Sequence, residues 1–242
     1  MFGLGPPRAG DAQPAAVPAP WSAAAATQAV QQASGRENRP AVRTGWRLET
    51  GLSYGRPMFD ADGRAQWQRV GSFRPGGGAA LGAGYDWSRV GATVAIDVAG
   101  SRVGGRNAGV LSAALLAHWR PAVALGHSTR AWQPRLTAGY VRQGVFGAQV
   151  TRSDLAADLA ARVGDDGATP TTPSNLAVIG NGVRVGAAAE RTLTGRLALS
   201  LGATLDVVSF GTATYEGIDY SLERAGRGVH PRGVAAVVWR PF

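Results

Sequence analysis

Residues 232–242 read RGVAAVVWRPF, and this terminal stretch decides the fold prediction. Apolar residues recur at every second position, and Val234, Ala236 and Val238 are in phase with the terminal Phe242. Successive side chains of a β-strand point to opposite faces, so these four residues would share one face of a last strand. The stretch therefore predicts that the fold ends in an alternating strand closed by an aromatic ring.

The composition of the 242-residue chain favours many short strands over helices. Its 35 glycines exceed the usual share of about 7%, and its 17% of charged residues falls below the roughly 25% of soluble domains. The 45% of hydrophobic residues suffices for a core or a lipid-facing wall. No apolar run approaches the roughly 18 residues of a membrane helix. If the chain spans a membrane, it must therefore do so as a closed barrel.

Period-2 alternation extends over the chain from Arg43 onward, in eight segments that read as antiparallel strands. Most are long enough to cross a bilayer when tilted, which takes about 9 to 11 residues. The segments are Arg43–Tyr54, Gly78–Trp87, Arg89–Ala99, Gly109–Arg120, Ala131–Arg142, Gly182–Arg191, Arg196–Ser209 and the terminal Arg232–Phe242. The fold class predicted from them is all-β, an eight-stranded antiparallel transmembrane β-barrel.

The second face of these segments is small, polar and charged with both signs. In a soluble barrel with an apolar cavity, the polar face would meet water and carry larger side chains, whereas Gly and Ala suit a crowded interior. Buried charges need partners, so we expect a paired network that plugs the lumen. Its expected members are Arg47, Glu49, Asp97, Arg184, Glu190 and Asp206.

At this point the chain resembles the bacterial outer-membrane β-barrel superfamily, and in particular its small OmpA/OmpX type. A last strand that ends in Phe is similar to the signal that the barrel-insertion machinery reads in that superfamily. Arg240 and Pro241 depart from the pattern, and we expect the long Arg240 side chain to reach water at the membrane boundary. The resemblance implies an assembly signal formed by Val234, Ala236, Val238 and Phe242.

Aromatic residues near the segment ends fit the girdles that meet lipid head groups in such barrels. The alternative is that they are ordinary strand aromatics. The predicted girdle comprises Trp46, Tyr54, Trp87, Trp119, Trp132 and Tyr140. The connections alternate in length, which places the shorter ones and both termini in the periplasm. The longer, outside connections are predicted at residues 55–77, 100–108, 143–181 and 210–230.

Two stretches lie apart from the strand pattern. Residues 1–42 are rich in Pro and Ala without apolar periodicity, so we expect a disordered periplasmic segment or linker, able to hold a periplasmic protein partner, before a barrel at 43–242. Residues 153–163 place Leu155, Leu159 and Val163 at helical spacing after a Ser cap. They predict a short helix on the rim or in the mouth of the barrel.

The net charge of +9 comes entirely from arginine. Nucleic-acid binders cluster such charge on one face or in a tail, whereas here arginine is scattered along the whole chain, so no nucleic-acid partner is expected. The all-arginine usage is interpreted as genomic codon bias, with affinity for lipopolysaccharide phosphates as a secondary effect. The chain has no cysteine, which excludes thiol catalysis and a disulfide framework.

The predicted protein is an integral outer-membrane barrel with a structural, anchoring or surface-interaction role. Its expected partners are outer-membrane lipid, lipopolysaccharide and the insertion machinery, with no cofactor, metal or catalytic residue. A small pore or an autotransporter-like secretion barrel stays open as an alternative. A lipid A-modifying enzyme is another, since lipid A deacylases of similar size use a His and a Ser. His127 and Ser128 are adjacent, however, and would point to opposite faces of a strand.

Overall fold

The computed structural model describes residues 44–59, 72–121, 132–150, 159–161 and 174–241. The chain divides into two units, Met1–Arg39 and Pro40–Phe242, and every described residue belongs to the second. The predicted periplasmic segment at 1–42 lies outside the described residues, as do His127, Ser128 and Phe242. Among the residues that are described, no helix has the length and hydropathy needed to cross a membrane.

The described chain is built from antiparallel β-strands. Eight strands have 12 to 22 residues each, and two have only two residues. The strands are β1 (Thr44–Gly55), β2 (Met58–Phe59), β3 (Phe73–Arg74), β4 (Gly76–Trp87), β5 (Val90–Val103), β6 (Arg106–Trp119), β7 (Gln133–Val150), β8 (Ser174–Thr192), β9 (Leu197–Tyr215) and β10 (Ile218–Trp239).

The long strands form a closed ring. They pair in the order β1, β4, β5, β6, β7, β8, β9, β10, and β10 pairs with β1. The short strands extend the ring, β2 along β10 and β3 along β5. Direct cross-strand partners followed around the ring from Thr44 lead back to β1 at Tyr54, ten residues further along. This stagger requires strands tilted by about 35 to 45° to the ring axis.

The two faces of the ring differ as the alternation predicts. Large hydrophobic side chains point outward and stay exposed, as on β9, where Leu201 is 43% exposed and its neighbour Ser200 only 4%. Over the near and middle parts of the ring the inward face carries glycine, alanine, hydroxyls and charged groups, whereas at the far end it also carries large apolar side chains. A soluble fold buries its large apolar side chains, so this arrangement is inverted relative to a water-soluble core.

Several strands are longer than the sequence segments indicated. Most of the connections expected at 100–108 and 210–230 are strand, and they shrink to the two-residue turns Gly104–Gly105 and Glu216–Gly217. Positive φ angles at all four residues, 53 to 83°, suit tight hairpin turns. The connection expected at 143–181 is also shortened, since β7 extends to Val150 and β8 begins at Ser174. The added strand residues lie beyond the apolar alternation and include polar residues, so the hydrophobic pattern did not mark them as strand.

The last strand corrects the expectation for Arg240. Val238 is fully buried and Ala236 is 7% exposed, so the phase that includes Val234 and Arg240 faces the inside of the ring. Arg240 forms ion pairs there and does not extend outward to water. The outward face of β10 is the other phase, which ends in Trp239, 43% exposed. Both phases are apolar in this stretch, which is why the pattern alone did not fix the facing.

The ring has two distinct ends. The near end is where β1 begins and β10 ends, since Leu48 pairs with Trp239. The far end contains the turns at 104–105 and 216–217, and its interior holds a buried apolar cluster that includes Phe73, Val145, Phe210 and Tyr215. Leu159, helical and 1% exposed, packs into this cluster. Leu155 and Val163 of the predicted helix lie outside the described residues.

Candidate functional site

The candidate site is the charged interior of the ring, which consists of two clusters of ion pairs. The near cluster lies toward the near end of the ring, and the central cluster lies further in. The near cluster comprises Arg47, Glu49, Asp86, His118, Arg120, Arg135, Glu190 and Arg240, and the central cluster comprises Asp97, Ser112, Arg184, Asp206 and Arg232.

Glu190 is the hub of the near cluster. Its Oε1 accepts a hydrogen bond from Arg47 Nη2 at 2.7 Å and lies 3.0 Å from Arg135 Nε. Its Oε2 accepts from Arg240 Nη2 at 2.8 Å. Glu190 lies on β8, whereas the three arginines come from β1, β7 and the end of β10. One carboxylate therefore ties together strands on different sides of the ring.

Two further carboxylates complete the near cluster. Asp86 accepts a hydrogen bond from Arg120 at 2.6 Å, and its Oδ1 lies 2.7 Å from His118 Nε2. Glu49 accepts hydrogen bonds from Arg47 and Arg135, the latter at 2.6 Å. Charge-assisted bonds of this kind are stronger than neutral ones, and here they link side chains of β1, β4, β6 and β7.

The central cluster is a compact square of two arginines and two aspartates. Arg184 Nε and Nη2 donate to the two carboxylate oxygens of Asp206 at 2.7 and 2.9 Å, and Arg184 Nη1 donates to Asp97 at 2.5 Å. Arg232 donates to Asp206 at 2.8 Å and lies 3.3 Å from Asp97. Ser112 adds a hydroxyl, donating to Asp97 at 3.1 Å and accepting from Arg184.

A small cavity separates the two clusters. Its volume is about 80 Å³, and it is bounded by Glu49 and Arg135 on one side and by Asp97 and Arg184 on the other. Its wall is made of small inward residues, namely Gly51, Ala80, Gly82, Ala95, Ala188 and Gly202. In the described part of the chain, the interior is thus filled by charged side chains on both sides of this cavity and by the apolar cluster at the far end.

The structure brings together all six residues predicted for the interior network, in two groups. Arg47, Glu49 and Glu190 belong to the near cluster, whereas Asp97, Arg184 and Asp206 belong to the central one. Sequence reasoning missed seven members. Five of them are in phase with the inward faces of their segments, so the same alternation rule would have found them: Asp86, Ser112, His118, Arg120 and Arg135. The other two, Arg232 and Arg240, are in phase with the apolar residues of the last strand, so the rule did not mark them as interior.

The six predicted girdle aromatics are all exposed on the outside of the ring. Trp46, Trp87, Trp119 and Trp132 lie at or next to strand termini of the near end. Trp239, which the sequence analysis did not include, joins them there. Tyr85 bridges two of these rings, since it packs edge-on against Trp46 at 5.5 Å and contacts Trp87 at 5.2 Å. Tyr54 and Tyr140 lie further along β1 and β7.

Within the described part of the chain, no group of three or more His, Cys, Asp or Glu side chains is placed to hold a metal ion. The interior carboxylates face guanidinium groups, which occupy the positions that a cation would take. The interior chemistry is therefore that of internal charge compensation.

Comparison with known proteins gives structural likeness only. No family model and no curated protein matches the sequence. Among solved structures, Neisserial surface protein A (NspA) matches with a TM-score of 0.50 and 12% identity, over 81% of this chain and 97% of NspA. The fold is that of bacterial outer-membrane β-barrel proteins. Such a barrel presents apolar side chains outward and polar ones inward, as this ring does.

Two further outer-membrane barrels are also similar in structure. OprG from Pseudomonas aeruginosa matches with a TM-score of 0.46 and 12% identity, over 80% of this chain and 94% of OprG. The translocator domain of the autotransporter NalP from Neisseria meningitidis matches with a TM-score of 0.36 and 11% identity, over 90% of this chain and 96% of that domain. Likeness at such low identity concerns the fold and leaves the activity of this chain open.

Proposed function

We propose that this chain is an integral protein of the bacterial outer membrane. In this proposal it spans the bilayer as an eight-stranded barrel with a plugged lumen and serves as a structural, anchoring or surface-interaction module. The observation that carries the proposal is the inverted distribution of side chains. A continuous apolar wall faces outward, while ion-paired charges fill the near and middle parts of the inside. Such a wall is favourable only where lipid surrounds it.

The height of the apolar wall supports a transmembrane position. On β7, outward residues are mostly apolar between Trp132 and Arg142, a distance of ten residues. At about 3.3 Å per residue and a tilt of about 40°, this stretch covers about 25 Å along the barrel axis. The apolar band of outer-membrane barrels has about the same height. The tryptophans of the near end then form one aromatic girdle, and Tyr54 and Tyr140 lie toward the other boundary.

The near end is proposed to face the periplasm. The described chain enters and leaves the ring there, so both termini would be periplasmic. The far end would face outward, where the hairpins of β5–β6 and β9–β10 extend beyond the apolar wall. Lipopolysaccharide and surface partners would meet this end, while the insertion machinery and a partner of residues 1–42 would act on the periplasmic side.

The proposal includes no catalysis. The central cluster pairs two arginines with two carboxylates and the near cluster pairs four arginines with three, so most of the interior charge is compensated, which favours a structural role over a reaction site. The alternative is a small conducting or secretion barrel, which the interior cavity would favour. Ion-paired side chains, however, close that cavity on both sides. The lipid A-modifying alternative rested on His127 and Ser128, which lie outside the described residues, and nothing described favours it.

Membrane insertion is the direct test. The purified chain should fold into detergent micelles and into liposomes, migrate faster on electrophoresis before heating than after it, and keep its eight long strands protected from protease. In cells that express it, the protein should fractionate with the outer membrane. A chain that stayed soluble without detergent, or that remained in the soluble fraction of cells, would contradict the proposal.

A further inference from the structure

The outer wall of the barrel has a shallow groove on one side. An open groove of about 630 Å³ lies over β8, β9 and β10. Its floor is a row of three small outward residues on adjacent strands, since Ala187 pairs with Ala203 and Ala203 pairs with Gly233. The next row toward the far end, Val185, Leu205 and Pro231, forms its rim.

A polar row crosses the same strands closer to the far end. Arg142 on β7 pairs with Asn181 on β8, Asn181 pairs with Ser209 on β9, and Ser209 pairs with Arg227 on β10. All four side chains are exposed. Direct cross-strand neighbours lie close enough to share one ligand. The row therefore presents two guanidinium groups with a hydroxyl and an amide between them, and the amide oxygen also accepts a hydrogen bond from the Tyr140 hydroxyl at 2.5 Å.

The groove and the polar row are aligned on the wall. Asn181 is six residues from Ala187 along β8, so the polar row lies about 20 Å from the groove floor. Val183 and Val207, both exposed, cover the interval. A ligand that used both features would place a long apolar chain in the groove and an anionic polar group on the row.

The width of the row indicates the kind of head group. Four adjacent strands span three inter-strand steps, about 14 Å, between the backbones of Arg142 and Arg227. A glycerophospholipid presents one phosphate, which engages one end of such a row. A phosphorylated disaccharide lipid presents phosphates at two ends and hydroxyl groups between them. Arginine suits each phosphate, because its planar fork donates two parallel hydrogen bonds.

We infer that the outer face of β7 to β10 is a binding site for lipopolysaccharide. An acyl chain lies in the groove over Ala187, Ala203 and Gly233, and the phosphorylated disaccharide lies on the row from Arg142 to Arg227. The inference rests on the proposed outer-membrane insertion, because it requires this face to meet the lipid leaflet. It deepens that proposal by assigning a lipid class to one side of the barrel.

The test measures lipid affinity of the folded protein in detergent, by native mass spectrometry. The probes are purified lipopolysaccharide, the same material after removal of its phosphates, and phosphatidylglycerol. Replacing both Arg142 and Arg227 with Ala should weaken lipopolysaccharide binding on the order of tenfold, as expected for the loss of charge-assisted hydrogen bonds. The dephosphorylated material should bind the unaltered protein as weakly as intact lipopolysaccharide binds the double variant.

Matched controls are available on the opposite side of the barrel. Arg74 and Arg102 are exposed, pair directly across β3 and β5 near the far end, and lie away from the groove. Replacing both with Ala removes the same charge and should change affinity by less than about twofold. Ala203→Leu should fill the groove and weaken binding, whereas Ala83→Leu, also on the outer wall, should not.

The possible results distinguish a failure of the lipopolysaccharide site from a failure of the proposed outer-membrane insertion. Equal weakening by the two arginine double variants would show general charge attraction and overturn the site. Equal competition by phosphatidylglycerol would overturn the assignment to lipopolysaccharide. Insertion into liposomes is measured on every variant by heat-modifiable mobility. If the unaltered protein fails to insert, the proposed function fails; if it inserts and the arginine variants bind lipopolysaccharide normally, the site alone fails.

Discussion

Arg184 and Asp206 are direct cross-strand neighbours on β8 and β9, and two parallel hydrogen bonds join the guanidinium of one to the carboxylate of the other. Asp206 is fully buried and Arg184 is 2% exposed. Arg184 also reaches Asp97 on β5, across the interior of the ring. This one pair therefore links neighbouring strands through their side chains and also fastens opposite sides of the barrel.

Asp206→Ala should destabilise the folded barrel by about 3 to 5 kcal/mol, the usual cost of leaving a buried charge without its partner. The substitution leaves Arg184 and Arg232 with Asp97 as their one remaining carboxylate among the described contacts. Denaturant unfolding in detergent micelles, followed by tryptophan fluorescence, measures the free energy of unfolding. A loss below about 1 kcal/mol would mean that the central cluster is not sealed from water.

The double variant Arg184→Met with Asp206→Leu is the matched control. It removes one charge of each sign and leaves Arg232 beside Asp97, 3.3 Å apart. We expect it to be more stable than Asp206→Ala alone, because replacing a buried ion pair by apolar side chains is often close to neutral. If the double variant were less stable than the single one, packing and not charge compensation would set the cost.

Leu201→Arg should destabilise the barrel in liposomes by about 2 to 4 kcal/mol, since it places a charge in the middle of the lipid-facing wall. The outward position Ser209, on the same strand but beyond the apolar wall, should tolerate Arg at a cost of about 0 to 1 kcal/mol. Unfolding in liposomes measures both variants. Equal costs would argue against a bilayer around this wall and return a soluble barrel to consideration.

The unaltered barrel should conduct poorly. Two layers of ion-paired side chains close the interior on both sides of a cavity of about 80 Å³. Planar-bilayer recordings of the purified protein should therefore show little steady current. A stable, large single-channel step would contradict the plugged interior and favour the pore alternative.

Deleting Phe242 should impair assembly in cells more than stability. A terminal ring contributes at most about 1.5 to 3 kcal/mol of burial, which is small beside the closure of β10 on β1. We expect normal refolding in detergent and a reduced yield in the outer membrane, because the insertion machinery would read this end. Equal membrane yields of the deleted and intact proteins would show that the terminal Phe is not part of an assembly signal.

Alternation in the sequence determined which side chains share a face. On β1 and β9, one phase is apolar and the other is small or charged, so Arg47, Glu49 and Asp206 could be assigned to the interior from the pattern. The same alternation rule also assigns Asp86 on β4 and Arg135 on β7 to the interior. It fails on β10, where Val234, Ala236 and Val238 alternate with Ala235, Val237 and Trp239, and hydrophobicity does not distinguish the two phases.

Only the tertiary structure decided which charges meet and how the ring is staggered. Arg47 and Glu190 are 143 residues apart in sequence, and Arg184 and Asp97 are 87 apart. Their contacts depend on the closure of β10 on β1 and on the ten-residue stagger around the ring, which no local pattern encodes. The alignment of Arg142 with Arg227 has the same origin. Period 2 fixes the face of a residue, whereas the height of that residue in the barrel is fixed only when every strand has paired.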